Sequence, residues 1–418
     1  MSSTLSKKLA SIEPGTLYVG VDLSLDRNVA IVLDARARQL DRFGFPNDRD
    51  GYDYFYRRLA TQRQRQQAPA VLVGMEPTNY FWKLLATDLE AHQVAYRLVN
   101  PYTVKKHREG DQLDHSKDDQ RDAFTIGDLL RTGKFTETQL LRGNYAELRE
   151  YVVLYDRLQG ALRRQKSLIY NLAGQLFPEL SQECKDFTAL TAKAMLRHHA
   201  APSTICQLSL ETFLARVRAD FDGQRLQIAK LRRIRRRAAH SVGRQAGHQA
   251  LQTALRVHLD RLDLVREQIA YVSEALCTCF LLLPEAPYLL SMPGLGQVTA
   301  AIILAEIGNP RRYTNGRQLI KLAGTQPVPN TSGRKTRSQT PMSHKGRPRL
   351  RTALFFAVLR LVQVDDNFTQ AYQRFLNRDQ NPLTKMQALG ALMNKLLRIL
   401  WALMSKQTFY NPTYEPNP

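Results

Sequence analysis

The hydrophobic period of this chain changes once, near residue 140, and that change limits the folds open to it. Before it, apolar residues come in short β-rich runs. Leu17-Tyr18-Val19-Gly20-Val21 ends in Asp22, Val29 to Leu33 forms a second run, and Arg42-Phe43-Gly44-Phe45 a third. Two-residue alternation with short connections predicts an antiparallel meander. A helix is predicted around 52–66, a buried strand over 70–75, a helix around 80–91, and a strand over 94–99 closed by Asn100-Pro101. A meander followed by βαβ units makes a mixed sheet with helices on its faces, an α/β domain over 1–140.

After the change the spacing is helical. Leu148, Val152, Tyr155, Leu158, Leu162, Ile169 and Leu172 step by three, four or seven, and so do Leu251, Leu255, Leu259, Leu262, Val265, Ile269, Val272 and Leu276. These stripes predict two long amphipathic helices paired as an antiparallel or intermolecular coiled coil. The stretch 178–245 between them reads as less regular, so 141–282 is a helical region with a basic insertion. Residues 283–405 are predicted mostly α-helical, interrupted by a polar, turn-rich segment from Gly324 to Arg351, and 406–418 form a tail.

Charge narrows the function. With 60 Lys and Arg against 38 Asp and Glu the net charge is +22, which calls for a polyanionic partner, most often nucleic acid. A hydrophobic fraction of 43% excludes a wholly disordered chain. Cys184, Cys206, Cys277 and Cys279 make no zinc spacing and are expected as free thiols. The opening residues MSSTLSKKLASIEPGT lack a signal-peptide core, and the apolar runs read as too short to span a bilayer, so a cytoplasmic protein without a membrane partner is expected. Positive charge concentrates twice. Arg216 to Arg244 holds ten Lys and Arg against Asp220 and Asp222, with Arg232, Arg233, Arg235, Arg236 and Arg237 at its centre. Ser332 to Arg351 holds seven and no acid, among them Arg334, Lys335, Arg337, Lys345 and Arg347. Both are candidate nucleic-acid contacts. The histidines form no ligand spacing.

Against this background four acids stand out. Asp22 and Glu76 each follow a buried strand, and Asp119 and Asp122 stand three apart where an apolar helix opens. Residues at i and i+3 share a helix face, so the four carboxylates can meet at one sheet edge and supply the hard oxygen ligands that two Mg²⁺ ions need.

The segments Val19-Gly20-Val21-Asp22, Met75-Glu76-Pro77-Thr78 and Lys117-Asp118-Asp119-Gln120-Arg121-Asp122-Ala123 resemble the stations GID, EATG and KTDxxDA of IS110-family transposases. Met292-Pro293-Gly294-Leu295-Gly296, Leu322-Ala323-Gly324 with Pro327, Thr331-Ser332-Gly333, Ser343-His344-Lys345-Gly346 and Leu350-Arg351 are similar to that family's C-terminal transposase domain. Pro77 replaces the alanine of EATG, and Asp118 stands where threonine is usual. The three-residue spacing to Asp122 selects Asp119 over Asp118. The resemblance implies a RuvC-like (RNase H-like) first domain whose Asp22, Glu76, Asp119 and Asp122 hold Mg²⁺ or Mn²⁺. It implies a nucleophilic serine in the C-terminal domain, which counting from Ala323-Gly324 through Pro327 puts at Ser332. By residue chemistry alone Thr325, Thr331, Thr336, Ser338 and Ser343 stay open beside it. The implied activity is transposition of an insertion sequence, with strand exchange between donor and target DNA through a covalent phosphoserine intermediate that joins the protein to DNA. Implied partners are an element-encoded bridge (guide) RNA and further copies of the chain, as a dimer or tetramer in which the acids of one copy meet the serine of another. The alternatives are a site-specific DNA invertase of the same architecture without guide RNA, and a RuvC-like hydrolytic nuclease.

Overall fold

The computed structural model describes residues 3–78, 80–111, 119–136, 140–219, 221, 226–328, 331–332, 335–336 and 340–413. The chain divides into two compact units, residues 1–140 and 141–418.

In the first unit, helix α1 (Ser3–Ala10) precedes strands β1 (Leu17–Asp22), β2 (Arg27–Leu33) and β3 (Gln39–Pro46). Then come α2 (Arg49–Arg65), β4 (Val71–Met75), α3 (Phe81–Ala91), β5 (Ala95–Leu98), α4 (Pro101–Asp111) and α5 (Asp119–Arg131). The strands lie in the order β3-β2-β1-β4-β5. β1, β2 and β3 pair antiparallel, while β1, β4 and β5 run parallel. This is the predicted meander with βαβ crossovers. Alternation splits each strand between two cores. Val19, Val21, Val73 and Met75 face α2 and α3 through Phe55, Leu59, Leu85 and Leu89, while Tyr18 and Leu72 face α4 and α5 through Val104, Ile126 and Leu130. Helix α5 lies directly on β1, because a Cβ at Gly20 would collide with the Ala123 carbonyl oxygen and one at Gly74 with the Leu130 side chain. The absent side chains let helix backbone and strand backbone touch.

Asn100-Pro101 does more than close β5, its expected role; it also opens α4. Asn100 accepts from the Tyr102 amide, and Pro101 takes the first helical position, where its missing N–H costs nothing.

The second unit is helical. Its long helices α6 (Asn144–Leu176) and α12 (His248–Leu281) pair antiparallel within the chain. Cys279 lies by the Asn144 carbonyl, His258 bonds Gln165 at 2.8 Å, and the Arg244 amide donates to the Gln175 carbonyl at 2.9 Å. The connection between them is more ordered than its sequence implies. It forms α7 (Leu180–Glu183), α8 (Leu190–His198), α9 (Pro202–Cys206), α10 (Leu210–Ala219) and α11 (Ile228–Ala238). Short helices weaken the periodic signal, yet Phe177, Phe187, Met195, Ile205, Phe213 and Ile234 close a core of their own on the far ends of the long pair.

Beyond α12 follow α13 (Ala286–Leu290), α14 (Gln297–Ile307) and α15 (Gly316–Ala323). A two-stranded ribbon, β6 (Thr331–Ser332) with β7 (Lys335–Thr336), leads to α16 (Pro348–Val364), α17 (Asp366–Leu376) and α18 (Lys385–Lys406). These helices share one core with Leu148, Val152, Leu276 and Phe280 near the other ends of α6 and α12. One expectation is corrected here. Helix α18 is long and apolar enough to cross a membrane, with mean hydropathy 1.2 over 18 residues. More than half of that window is buried, and Leu392, Leu396, Leu397 and Leu400 sit in the core, which accounts for its composition. All four cysteines are free.

Candidate functional site

Register brings the two strand-end acids together. β1 and β4 pair in parallel from Leu17↔Val71 to Val21↔Met75, so Asp22 and Glu76 come next on neighbouring strands. Such strands lie about 4.8 Å apart. Alternation puts Asp22 on the face of Gly20 and Glu76 on the face of Gly74, the face that α5 covers. The first turn of α5 carries Asp119, exposed, and Asp122, 8% exposed. Ala123 of α5 lies on Gly20, two residues before Asp22. Asp22 and Glu76 thus stand at the carboxyl end of the parallel strands, and Asp119 and Asp122 stand in the first turn of the helix that covers this face, where the helix dipole favours carboxylates. Among the described residues no group of three or more His, Cys, Asp and Glu is already gathered to hold a metal ion. Asp118 lies outside the described residues.

The segment that carries Ser332 is a ribbon rather than the flexible loop its composition implies. The Val328 amide donates to Pro341, Ser343 to Gln326, and His344 to Gly324. Thr331 pairs with Thr336 and Ser332 with Lys335. The Ser332 and Lys335 side chains, and Arg334 and Arg337, lie outside what the structure describes. The base of the ribbon is tightly crossed. Gly324 takes φ +67° at the end of α15, and a Cβ on it would stand 2.8 Å from the Gly346 amide nitrogen. Helix α18 holds both strands. The buried Thr325 hydroxyl bonds Asn394 Oδ1 at 2.6 Å, and Asn394 Nδ2 donates to the Thr325 carbonyl at 3.2 Å. One turn earlier, Gly390 leaves the space that the Met342 methyl fills.

Thr325→Val or Asn394→Leu alone would leave a buried polar partner unpaired, at about 1–3 kcal/mol each. Both together should cost less than their sum, since the pair is removed as a unit. Thermal unfolding of the two single variants and the double variant reads this coupling; strictly additive losses would show that the bond anchors nothing.

The two basic stretches differ in what their side chains do. On α11, Leu231 and Ile234 face the core. Arg233 and Arg237 both bind Glu183, at 2.8 and 2.6 Å, and their hydrogen bonds hold its carboxyl below the usual range. Arg235 donates to the Leu208 carbonyl at 2.7 Å. Arg232 and Arg236 are exposed on the outer face. In the second stretch Lys345 is exposed, whereas Arg347 turns inward to the Glu306 carbonyl.

Sequence reasoning misses Glu306, which sits inside the apolar run Gln297 to Ile307. It is 1% exposed and binds Arg149 at 3.0 Å, with Arg347 at 3.9 Å and Arg349 at 4.0 Å. Arg349 also binds Asp156 at 2.8 Å. Burial, and then repulsion by Arg347 and Arg349, push the Arg149 pKa down. The one signal in the sequence is a lone acid in an apolar helix.

Comparison with known proteins gives two family matches along the chain. A family model for the DEDD transposase of IS110 matches residues 19–178, the span of all four acids. A second, described as Transposase IS116/IS110/IS902 family, matches 286–373, the span of the serine ribbon. A mini-circle putative transposase for IS117 from Streptomyces coelicolor is 26% identical over 77% of this chain and 78% of its own length. A probable family 20 transposase from Pseudomonas aeruginosa is 33% identical over 30% of this chain and 36% of its own length. A pilin gene-inverting protein from Moraxella bovis is 32% identical over 29% of this chain and 37% of its own length. The latter two alignments therefore span only about a third of those relatives. With both family models in order along the sequence, one over the acids and one over the ribbon, this chain belongs to the IS110 family of transposases.

Proposed function

We propose that the chain is a DNA strand-exchange enzyme that works through a covalent phosphoserine intermediate, with a RuvC-like first unit and an element-encoded guide RNA. The observation that carries this reading is the parallel register of β1 and β4, which sets Asp22 beside Glu76 on the face covered by α5. The donor set fits a hard divalent cation, since all four groups are carboxylates. Asp22, Glu76, Asp119 and Asp122 would hold it. Bound there, Mg²⁺ or Mn²⁺ supplies neutralising charge against a phosphodiester. The remaining steps belong to the chain. The Ser332 hydroxyl gives up its proton and its oxygen bonds phosphorus, while the bond from phosphorus to the sugar oxygen breaks and the leaving oxygen takes a proton. A free DNA hydroxyl reverses the step on the second partner, so rejoining needs no ATP.

Self-association fits the outer face of α12, where Val257, Leu264 and Tyr271 recur every seven residues at 43%, 53% and 75% exposure. The pilin gene-inverting relative favours a second reading, a DNA invertase; in that reading no guide RNA takes part. Purification of the chain from cells carrying its gene and flanking DNA separates the two. A discrete co-purifying structured RNA needed for activity supports the first, and full activity after ribonuclease the second. Incubation with DNA spanning the recombining ends should yield a protein–DNA species stable in denaturant that maps to Ser332. Cut ends released free would favour a hydrolytic nuclease.

The proposal also assigns the basic faces. Arg232→Gln with Arg236→Gln should flatten the dependence of log affinity on log salt by about 1.4 to 1.8, at roughly 0.7–0.9 per phosphate lost. Arg233, Arg235 and Arg237 are tied into the fold, so their replacement should lower thermal stability more than slope. An unchanged slope in the double variant would leave α11 as a solvated face.

A further inference from the structure

Exposed large apolar side chains are few among the described residues of the first unit. Among the described residues of 1–140 they are Leu25, Tyr80, Leu84, Tyr102 and Phe124. Leu25 lies three residues past Asp22. Tyr80, the N-cap of α3, and Leu84 one turn on follow Glu76 and β4. Tyr102, in the first turn of α4, follows β5, and Phe124 stands in the second turn of α5. Since β1, β4 and β5 are neighbouring parallel strands, Leu25, Tyr80 and Tyr102 lie in the segments that leave them at the end that carries Asp22 and Glu76. Tyr80 and Tyr102 are 55% and 65% exposed. Tyr80 leans on Phe81 at 4.4 Å between ring centroids, and Lys106 stands 5.9 Å from the Tyr102 ring centroid. Lysines interleave with these rings, with Lys83 on α3 and Lys105 and Lys106 on α4.

Exposed rings cost solvation unless something covers them, and rings that follow the ends of neighbouring strands mark a binding surface. Rings alternating with cations match a polyanion whose bases are unstacked: the rings take base faces and the cations take phosphates. A paired duplex offers its phosphates but keeps its base faces hidden. We propose that this rim binds an unpaired DNA strand beside the acids, with bases stacked on Tyr80 and Tyr102. The inference rests on reading the acids as the phosphodiester site, because that reading makes the strand DNA.

The test is binding, with divalent cations left out, of the full chain to a gapped DNA duplex with an unpaired thymidine tract, the fully paired duplex, and a single-stranded RNA of matching sequence. The native chain should prefer the gapped duplex. Tyr80→Ala and Tyr102→Ala should each weaken that complex between about 5-fold and about 150-fold, the range of base–aromatic stacking. Affinity for the paired duplex should stay put, and Phe at both positions should restore the preference. Unchanged preference in the alanine variants overturns the proposal, as does equal loss on paired DNA. A ring-dependent preference for the RNA would give the rim to RNA, and a changed oligomeric state in the variants would give it to another protein surface; either outcome overturns it. Because nothing is cleaved, the result is independent of whether the acids hold metal, which the carboxylate variants decide separately.

Discussion

Asp22→Asn and Glu76→Gln are each expected to cripple strand exchange and to leave nucleic-acid binding in place. The amides keep shape but remove the charge a hard cation needs. Loss of several kcal/mol of charge stabilisation at the reacting phosphate, taken as about 4 kcal/mol, corresponds to a rate about 10³-fold lower. Binding should hold or tighten slightly, because each change removes a negative charge from a surface that meets phosphates. Asp119→Asn and Asp122→Asn are expected to act alike. Asp122 is the more buried of the two, so its variant should be checked for an unchanged unfolding midpoint before its activity is compared. Initial rates across a Mg²⁺ or Mn²⁺ titration read the effect. Near-normal exchange by any one variant removes that residue from the ligand set. A lethal Asp118→Asn beside an active Asp119→Asn would move the helical pair by one residue.

Ser332→Ala is expected to eliminate the proposed covalent protein–DNA species altogether, because no other atom at that position can form the ester. Binding and assembly of the complex should survive. One hydroxyl contributes about 1 kcal/mol to a large basic interface, and the ribbon is anchored at Thr325 and Met342. Ser332→Cys should be severely slowed, since sulfur is a soft nucleophile facing hard phosphorus. Denaturing electrophoresis with labelled DNA, followed by peptide mapping, decides the matter. An adduct that persists in Ser332→Ala, or that maps to Thr331, Ser338 or a tyrosine, defeats the assignment.

Much of the frame is legible in the amino-acid order. The runs ending at Asp22 and Met75 are β1 and β4, because buried strands need continuous apolar residues. The stripes from Leu148 and Leu251 are α6 and α12, because a long helix repeats its signal over many turns. Where the signal is short it is lost. Asn100-Pro101 reads equally as a stop or as a helix start. The helices α7 to α10 are too brief to show a period. The ribbon at Ser332 has only two paired residues on each strand, so its polar composition hides it.

The arginines show what pattern alone cannot sort. Arg232, Arg233, Arg235, Arg236 and Arg237 are equivalent as letters, and only the fold tells which of them meet Glu183 or the Leu208 carbonyl and which face outward. Glu306 is one acid among apolar neighbours until Arg149, Arg347 and Arg349 arrive from distant parts of the chain. Periodicity and residue chemistry are local, so the order of residues settles the main elements, the excess charge and the identity of the acids. It does not settle that Asp22 stands beside Glu76 under α5, which of the arginines are tied down, or that the exposed rings share the edge of the acids. Those follow from the folded arrangement, because register, helix approach over Gly20 and pairing of buried charges depend on contacts between residues far apart in sequence.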